Sequence, residues 1–150
     1  MQIYILLTEN CNLNCSMCIR GNQQGISLDV RELVKILEKN DFSEHDIVIT
    51  GGEPSLHKEF VDIVKLMCGK SKTVTVTSNG TYNNYLGELS TYENLFFQIS
   101  LDGDKEKHNQ IRGNRAFERT WETLIKMEEL SIKYSVASVV SNKNRVEIFD

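Results

Sequence analysis

The chain has 150 residues, 40% of them hydrophobic and 25% charged, with a formal net charge of -4 at pH 7. That length suits a single domain over residues 1–150 with a real core, and the composition is ordinary for a globular protein. No apolar run reaches the roughly 18 residues of a membrane helix, no basic block offers nucleic acid a footprint, and no basic-flanked leader opens the chain.

Ile3-Tyr4-Ile5-Leu6-Leu7-Thr8 is an apolar run expected to form a buried strand. Directly after it stand Cys11, Cys15 and Cys18, three of the four cysteines, spaced C-x3-C-x2-C. Three thiolates on one short loop can converge on one centre, and soft thiolate suits an iron–sulfur cluster or zinc. A [4Fe–4S] cluster normally takes four cysteines, so three leave one iron open to another ligand. Catalytic zinc sites differ from structural ones by a similar open position. Clustered thiols point to metal ligation in a reducing cytoplasm rather than to disulfides.

Arg20 to Ile26 reads as a polar loop, and Ser27 as the N-cap of a helix with its stripe at Val30, Leu33, Val34 and Leu37. Asp46 to Thr50 is a β-branched strand bounded by Gly51-Gly52. Phe60, Ile63, Val64, Met67 and Cys68 mark a second helix with Gly69 at its C′ position, which makes Cys68 a core thiol. Thr73 to Thr77 is a third strand, and Tyr82, Tyr85, Leu86 and Leu89 suggest a third helix. Phe96 to Ser100 is a fourth strand. Phe117, Trp121, Leu124 and Ile125 mark a fourth helix, and Tyr134 to Val140 is a fifth strand closed by Ser141-Asn142. This alternation predicts an α/β fold with five parallel strands, four helices and right-handed crossovers.

In such folds chemistry gathers at the C-terminal ends of the strands, where every motif of this chain falls. Gly51 and Gly52 let backbone approach a ligand closely, and Pro54 keeps Glu53 out of helical geometry. Ser78 and Asn79 read either as caps of the third helix or as ligand groups. Arg112 is either a solvated charge or a fork for a carboxylate. His108 reads as a structural or capping residue. His45 and His57 have loop and helix-start contexts.

The cysteine spacing, with Gly51-Gly52-Glu53-Pro54 after the second strand, resembles the signature of the radical S-adenosylmethionine (radical SAM) enzymes. Ser100-Leu101-Asp102-Gly103, His108, Ile111-Arg112-Gly113 and Phe117-Glu118-Arg119-Thr120 resemble the S-L-D-G, H-x-x-I-R-G and F-E-x-T pattern of members related to the SPASM peptide-modifying group. The resemblance spans roughly residues 3 to 142. It implies an open, partial TIM-like barrel in which Cys11, Cys15 and Cys18 hold a [4Fe–4S] cluster that binds S-adenosylmethionine (SAM). Gly51, Gly52 and Glu53 would then meet the methionine ammonium, and Ser78 and Asn79 the SAM carboxylate or ribose. Ser100 and Asp102 would bind the ribose hydroxyls and Arg112 the carboxylate. Met17 stands where the family usually has an aromatic residue, and would pack on adenine. Asn109 stands where the family often has aspartate. Reductive cleavage of SAM would give a 5′-deoxyadenosyl radical that abstracts hydrogen from a substrate.

The resemblance further implies a peptide or protein substrate and an electron donor of flavodoxin or ferredoxin type. Two other readings stay open: an activase of a glycyl-radical enzyme, and a non-catalytic cluster- or SAM-binding module acting with a partner chain. No cysteine follows Cys68, so auxiliary clusters are not expected. Five strands fall short of the eight of a full barrel. The chain is therefore expected either to be part of a longer enzyme or to have its fifth-strand edge covered. An identical protomer, a separate subunit or the peptide substrate are the candidates to cover it.

Overall fold

The structure, a computed structural model, describes residues 1–21, 25–142 and 144. Strands β1 (Gln2–Thr8), β2 (Asp46–Gly51), β3 (Thr73–Ser78), β4 (Leu95–Ser100) and β5 (Tyr134–Ala137) form one sheet in sequence order. Every neighbouring pair is parallel. Apolar residues meet in register across the sheet: Ile5 lies against Ile49, Ile49 against Val76, Val76 against Phe97 and Phe97 against Tyr134. This row and its neighbours face the helices and carry the core, with Leu7, Ile47, Ile49, Val74, Val76, Phe97 and Ile99 fully buried.

Side chains alternate across a strand, so the intervening residues point the other way. There Tyr4, Leu6, Phe96 and Gln98 are exposed. The first strand, expected from its unbroken apolar run to be buried, is thus buried on one face only, with Tyr4 and Leu6 exposed on the other. The open face is the concave side of the partial barrel.

Five helices form among the described residues: α1 (Val30–Lys39), α2 (Phe60–Cys68), α3 (Leu86–Leu89), α4 (Lys105–Arg112) and α5 (Ala116–Glu129). The expectation of four misses α4, whose sequence Lys-Glu-Lys-His-Asn-Gln-Ile-Arg has no apolar stripe. It forms because Asp104 caps it by accepting from Lys107 N at 2.9 Å, and because His108, Ile111 and Arg112 are buried. Gly113, at φ 120°, ends it in a conformation that suits glycine.

Helix α3 is a single turn that leaves Tyr82 outside. On α5 the buried face is Ala116, Thr120, Thr123, Leu124 and Met127, so Trp121 and Ile125 stay half exposed. Asp29, not Ser27, caps α1, accepting from Arg31 N at 2.9 Å. Ser27 instead hydrogen-bonds the Thr8 hydroxyl at 2.8 Å. Strand β5 stops at Ala137 rather than Val140, because Val139 N leaves the ladder to donate to the Asp102 carboxylate at 2.8 Å. Within the expected loop from Arg20 to Ile26, residues 22–24 lie outside the described residues.

The contact that places the cysteine loop is made of backbone. Gly52 N donates to Thr8 O at 2.8 Å, and Glu53 N donates to Asn10 O at 2.8 Å. A Cβ on Gly52 would fall inside the carbonyl oxygens of Asn10 and Glu9, and one on Gly51 inside that of Thr8. The two glycines therefore let β2 press on the strand end that leads to Cys11; the close partner is the chain itself. Gly52→Ala is expected to break both bonds and cost about 2–3 kcal/mol. Gly87→Ala, where a Cβ meets nothing within 4 Å, should be neutral or slightly stabilising. Urea unfolding of the two variants checks the contrast.

Candidate functional site

The C-terminal ends of the strands surround one cavity of about 780 Å³, a volume suited to a cofactor-sized ligand. Cys11, Cys15, Met17, Cys18, Gly51, Gly52, Ser78, Asn79, Ser100 and Arg112 line it. Of the residues the sequence nominates, Glu53 and Asp102 do not line it; both are buried in its wall. Thr50, Thr77 and Gln98 also line the cavity and were not nominated. Gln98 had a legible signal: it is the lone polar residue of Phe96-Phe97-Gln98-Ile99 and falls on the non-core phase of the strand.

Glu53 is 1% exposed. One carboxylate oxygen accepts from Ser55 N at 3.2 Å, Ser55 Oγ at 2.7 Å and Ser78 Oγ at 2.9 Å, and the other from Asn79 N at 2.7 Å. Burial pushes its carboxyl above the ordinary range while these bonds pull it back. Ser78 Oγ also accepts from Gly80 N at 3.0 Å. The expected meeting of Glu53 with a ligand ammonium therefore finds its carboxylate turned to the protein, tying the end of β2 to the end of β3.

Asn79 is engaged at every polar atom. Its Oδ1 accepts from Thr81 N at 2.9 Å and Thr81 Oγ1 at 2.7 Å. Its Nδ2 donates to Asn12 Oδ1 at 2.9 Å and lies 3.9 Å from Cys11 Sγ. Its carbonyl accepts from Thr120 Oγ1 at 2.9 Å. The expected reach of this amide to the SAM carboxylate or ribose has no unused group behind it.

On the other flank Asp102 is fully buried. It accepts from Arg112 Nε at 2.6 Å and Val139 N at 2.8 Å, and its own N–H donates to His108 Nδ1 at 3.1 Å. Its carboxylate orients Arg112 rather than facing the cavity, where ribose hydroxyls were expected to meet it. Ser16 N donates to Ile111 O at 2.9 Å, which ties the cysteine loop to α4 and sets the Arg112 charge near Cys15. Burial pushes the Cys15 thiol up; Arg112 opposes this, and Cys11 and Cys18 add to it. Ser100 lines the cavity between these flanks.

Among the described residues, no three histidine, cysteine or carboxylate side chains close on one point as a single-ion site requires. Three thiols around one cavity, with no hard oxygen ligand among them, suit a cluster that offers each thiolate its own iron.

A parallel α/β sheet that gathers its polar groups over a cavity at its strand ends places the chain among proteins that bind ligands there. The pattern of the radical SAM superfamily matches residues 5–148, and the chain belongs to that superfamily. Its members use a [4Fe–4S] cluster and SAM. The sporulation killing factor maturation protein SkfB of Bacillus subtilis is 33% identical over 152 residues, covering 96% of this chain and 37% of that protein. A GTP 3′,8-cyclase of Vibrio vulnificus is 26% identical over 149 residues, covering 92% of this chain and 45% of the cyclase. The chain thus spans less than half the length of these relatives. Streptococcus suis SuiB, solved bound to SAM and bound to precursor peptide SuiA, shares the fold with TM-scores of 0.81 and 0.80. Both structures are 17% identical and cover 99% of this chain, which spans 37% and 36% of them.

His108 carries a pH prediction. Because Nδ1 accepts from Asp102 N, the ring proton sits on Nε2, which has no partner among the described residues. Burial, then the Arg112 charge, pushes the imidazole down to about 4. Below pH ~6.5 the unfolded chain takes up a proton that the folded chain refuses, so stability falls from there down to about pH 4. The expected loss is about 2 kcal/mol at pH 5. Glu53, with its raised carboxyl, acts in the opposite sense. The difference in urea unfolding between wild type and His108→Gln at pH 7.5 and pH 5 therefore isolates the histidine.

Proposed function

We propose that this chain is the radical SAM core of an enzyme that modifies a peptide or protein side chain. The observation that carries the reading is the convergence of Cys11, Cys15, Cys18 and Arg112 on one cavity at the ends of the parallel strands. Cys11, Cys15 and Cys18 hold the [4Fe–4S] cluster. Arg112, oriented by Asp102, pairs with the SAM carboxylate, since a guanidinium fork matches a carboxylate. Ser100 offers its hydroxyl to the ribose, Met17 packs on adenine, and the Gly51-Gly52 backbone receives the ammonium. Ser78 and Asn79 within the lining, and Glu53 and Asp102 one layer behind it, fix its shape. Held by these residues, cluster and SAM would supply one-electron cleavage of the sulfonium C–S bond and, through it, hydrogen-atom abstraction from the substrate, while the chain binds and orients them.

The peptide substrate class is supported by the SLDG, HxxIRG and FExT stretches and by a match to SkfB of 33% identity over 96% of this chain, against 26% over 92% or 32% over 75% for GTP 3′,8-cyclases. The electron comes from a donor of flavodoxin or ferredoxin type, in a reducing cytoplasm. Among the described residues no helix is long and apolar enough to cross a membrane.

Anaerobic reconstitution should load about four irons per chain. The reduced protein should then release 5′-deoxyadenosine from SAM, and Cys15→Ala should abolish both. Stoichiometric zinc with no iron–sulfur absorption would overturn the reading. Turnover of GTP without any peptide would overturn the substrate class alone. Arg112→Ala is expected to weaken SAM binding by about 1.5–3 kcal/mol, the value of one charged hydrogen bond, measured by calorimetry on reconstituted protein.

A further inference from the structure

Asn79 lies nearer to a thiol than its expected role required. Its side-chain amide is fixed before any ligand arrives: Oδ1 is held by both the N–H and the hydroxyl of Thr81. Its backbone N–H is held by Glu53 and its carbonyl by Thr120. One amide hydrogen is directed to Asn12 Oδ1 at 2.9 Å, and Asn12 Nδ2 in turn donates to Thr81 Oγ1 at 2.8 Å. The remaining amide hydrogen is left to Cys11 Sγ, 3.9 Å from Nδ2. The residue is only 6% exposed, so water does not compete strongly for that donor.

We infer that Asn79 is a positioning residue for the cluster, donating an N–H···S hydrogen bond to the Cys11 thiolate, and not a ligand of SAM. The inference rests on the proposed function. Hydrogen bonds to cluster sulfurs favour the reduced, more electron-rich state, and ligand orientation is commonly set by partners of this kind. Asn79 therefore makes the cluster easier to reduce and holds Cys11 in place, through a network that also grips the residue next to Cys11.

The test uses the reconstituted 150-residue protein, with the midpoint potential read by EPR-monitored titration and SAM binding by calorimetry. Asn79→Ala should shift the reduction equilibrium about three- to tenfold toward the oxidised cluster, which is roughly 30–60 mV at 59 mV per decade. Iron content should hold and SAM affinity should change less than twofold. An unmoved potential with SAM affinity lost tenfold or more would overturn the inference and make Asn79 a SAM ligand. If Asn79→Ala does not hold a cluster, Asn79→Asp and Asn12→Asp decide between them. Each adds one carboxylate to the same network, but only the first removes the donor to Cys11. A larger downward shift for Asn79→Asp, with a raised terminal Fe–S stretching frequency in resonance Raman spectra, supports the hydrogen bond. Equal shifts with no Raman change overturn it. A wild-type protein that assembles no [4Fe–4S] cluster overturns the proposed function itself, whereas a normal cluster indifferent to Asn79 overturns this inference alone.

Discussion

One buried carboxylate organises the mouth of this sheet. Moving a carboxylate out of water costs several kcal/mol unless hydrogen bonds replace the lost solvent. Glu53 receives four such bonds, from Ser55, Ser78 and Asn79. The donors come from the end of β3 and from the 3₁₀ turn Pro54–Leu56 that follows β2. Satisfying that charge therefore fixes where β2 and β3 stop relative to each other. The Gly51-Gly52 backbone, held against Thr8 and Asn10, adds β1 to the same arrangement. The cysteine loop begins at the point where these three strand ends are joined.

The two flanks of the cavity are built differently. On the β3 side neutral amides and hydroxyls interlock, with Asn79, Asn12 and Thr81 closing a ring beside Cys11. On the α4 side a buried ion pair, Asp102 with Arg112, is braced by His108 and sits near Cys15. Removing one partner of a buried pair costs about 3–5 kcal/mol because the other charge is left unpaired. The first flank can be loosened bond by bond. The second fails as a unit.

The strands were legible because β-branched and aromatic runs bounded by glycine and polar turns leave few other readings, and all five form, with only β5 ending early, at Ala137 instead of Val140. Helix α4 was not, since Lys105 to Arg112 holds a single apolar residue and is fixed by a cap and by contacts of distant sequence origin. The face of α5 was misread for a related reason. Thr120 and Thr123 are buried because their hydroxyls satisfy the carbonyls of Asn79 and Gly80, a demand that no hydrophobic pattern displays. At the site, residue types pointed to the right neighbourhood but not to orientation. Glu53 and Asp102 are spent on donors supplied by the chain itself, and a motif read one residue at a time cannot show which partner an acid will find.

The one-sided burial of the sheet has an evolutionary reading. In β4, Leu95, Phe97 and Ile99 are packed under the helices, while Phe96 and Gln98 between them look out over the open face. Adjacent codons in one strand thus answer to different pressures. Exchanges at the packed positions are paid for in folding, and exchanges at the intervening ones alter only what the concave surface accepts. A scaffold divided in this way can diverge in the molecules it handles while the lineage keeps a single architecture.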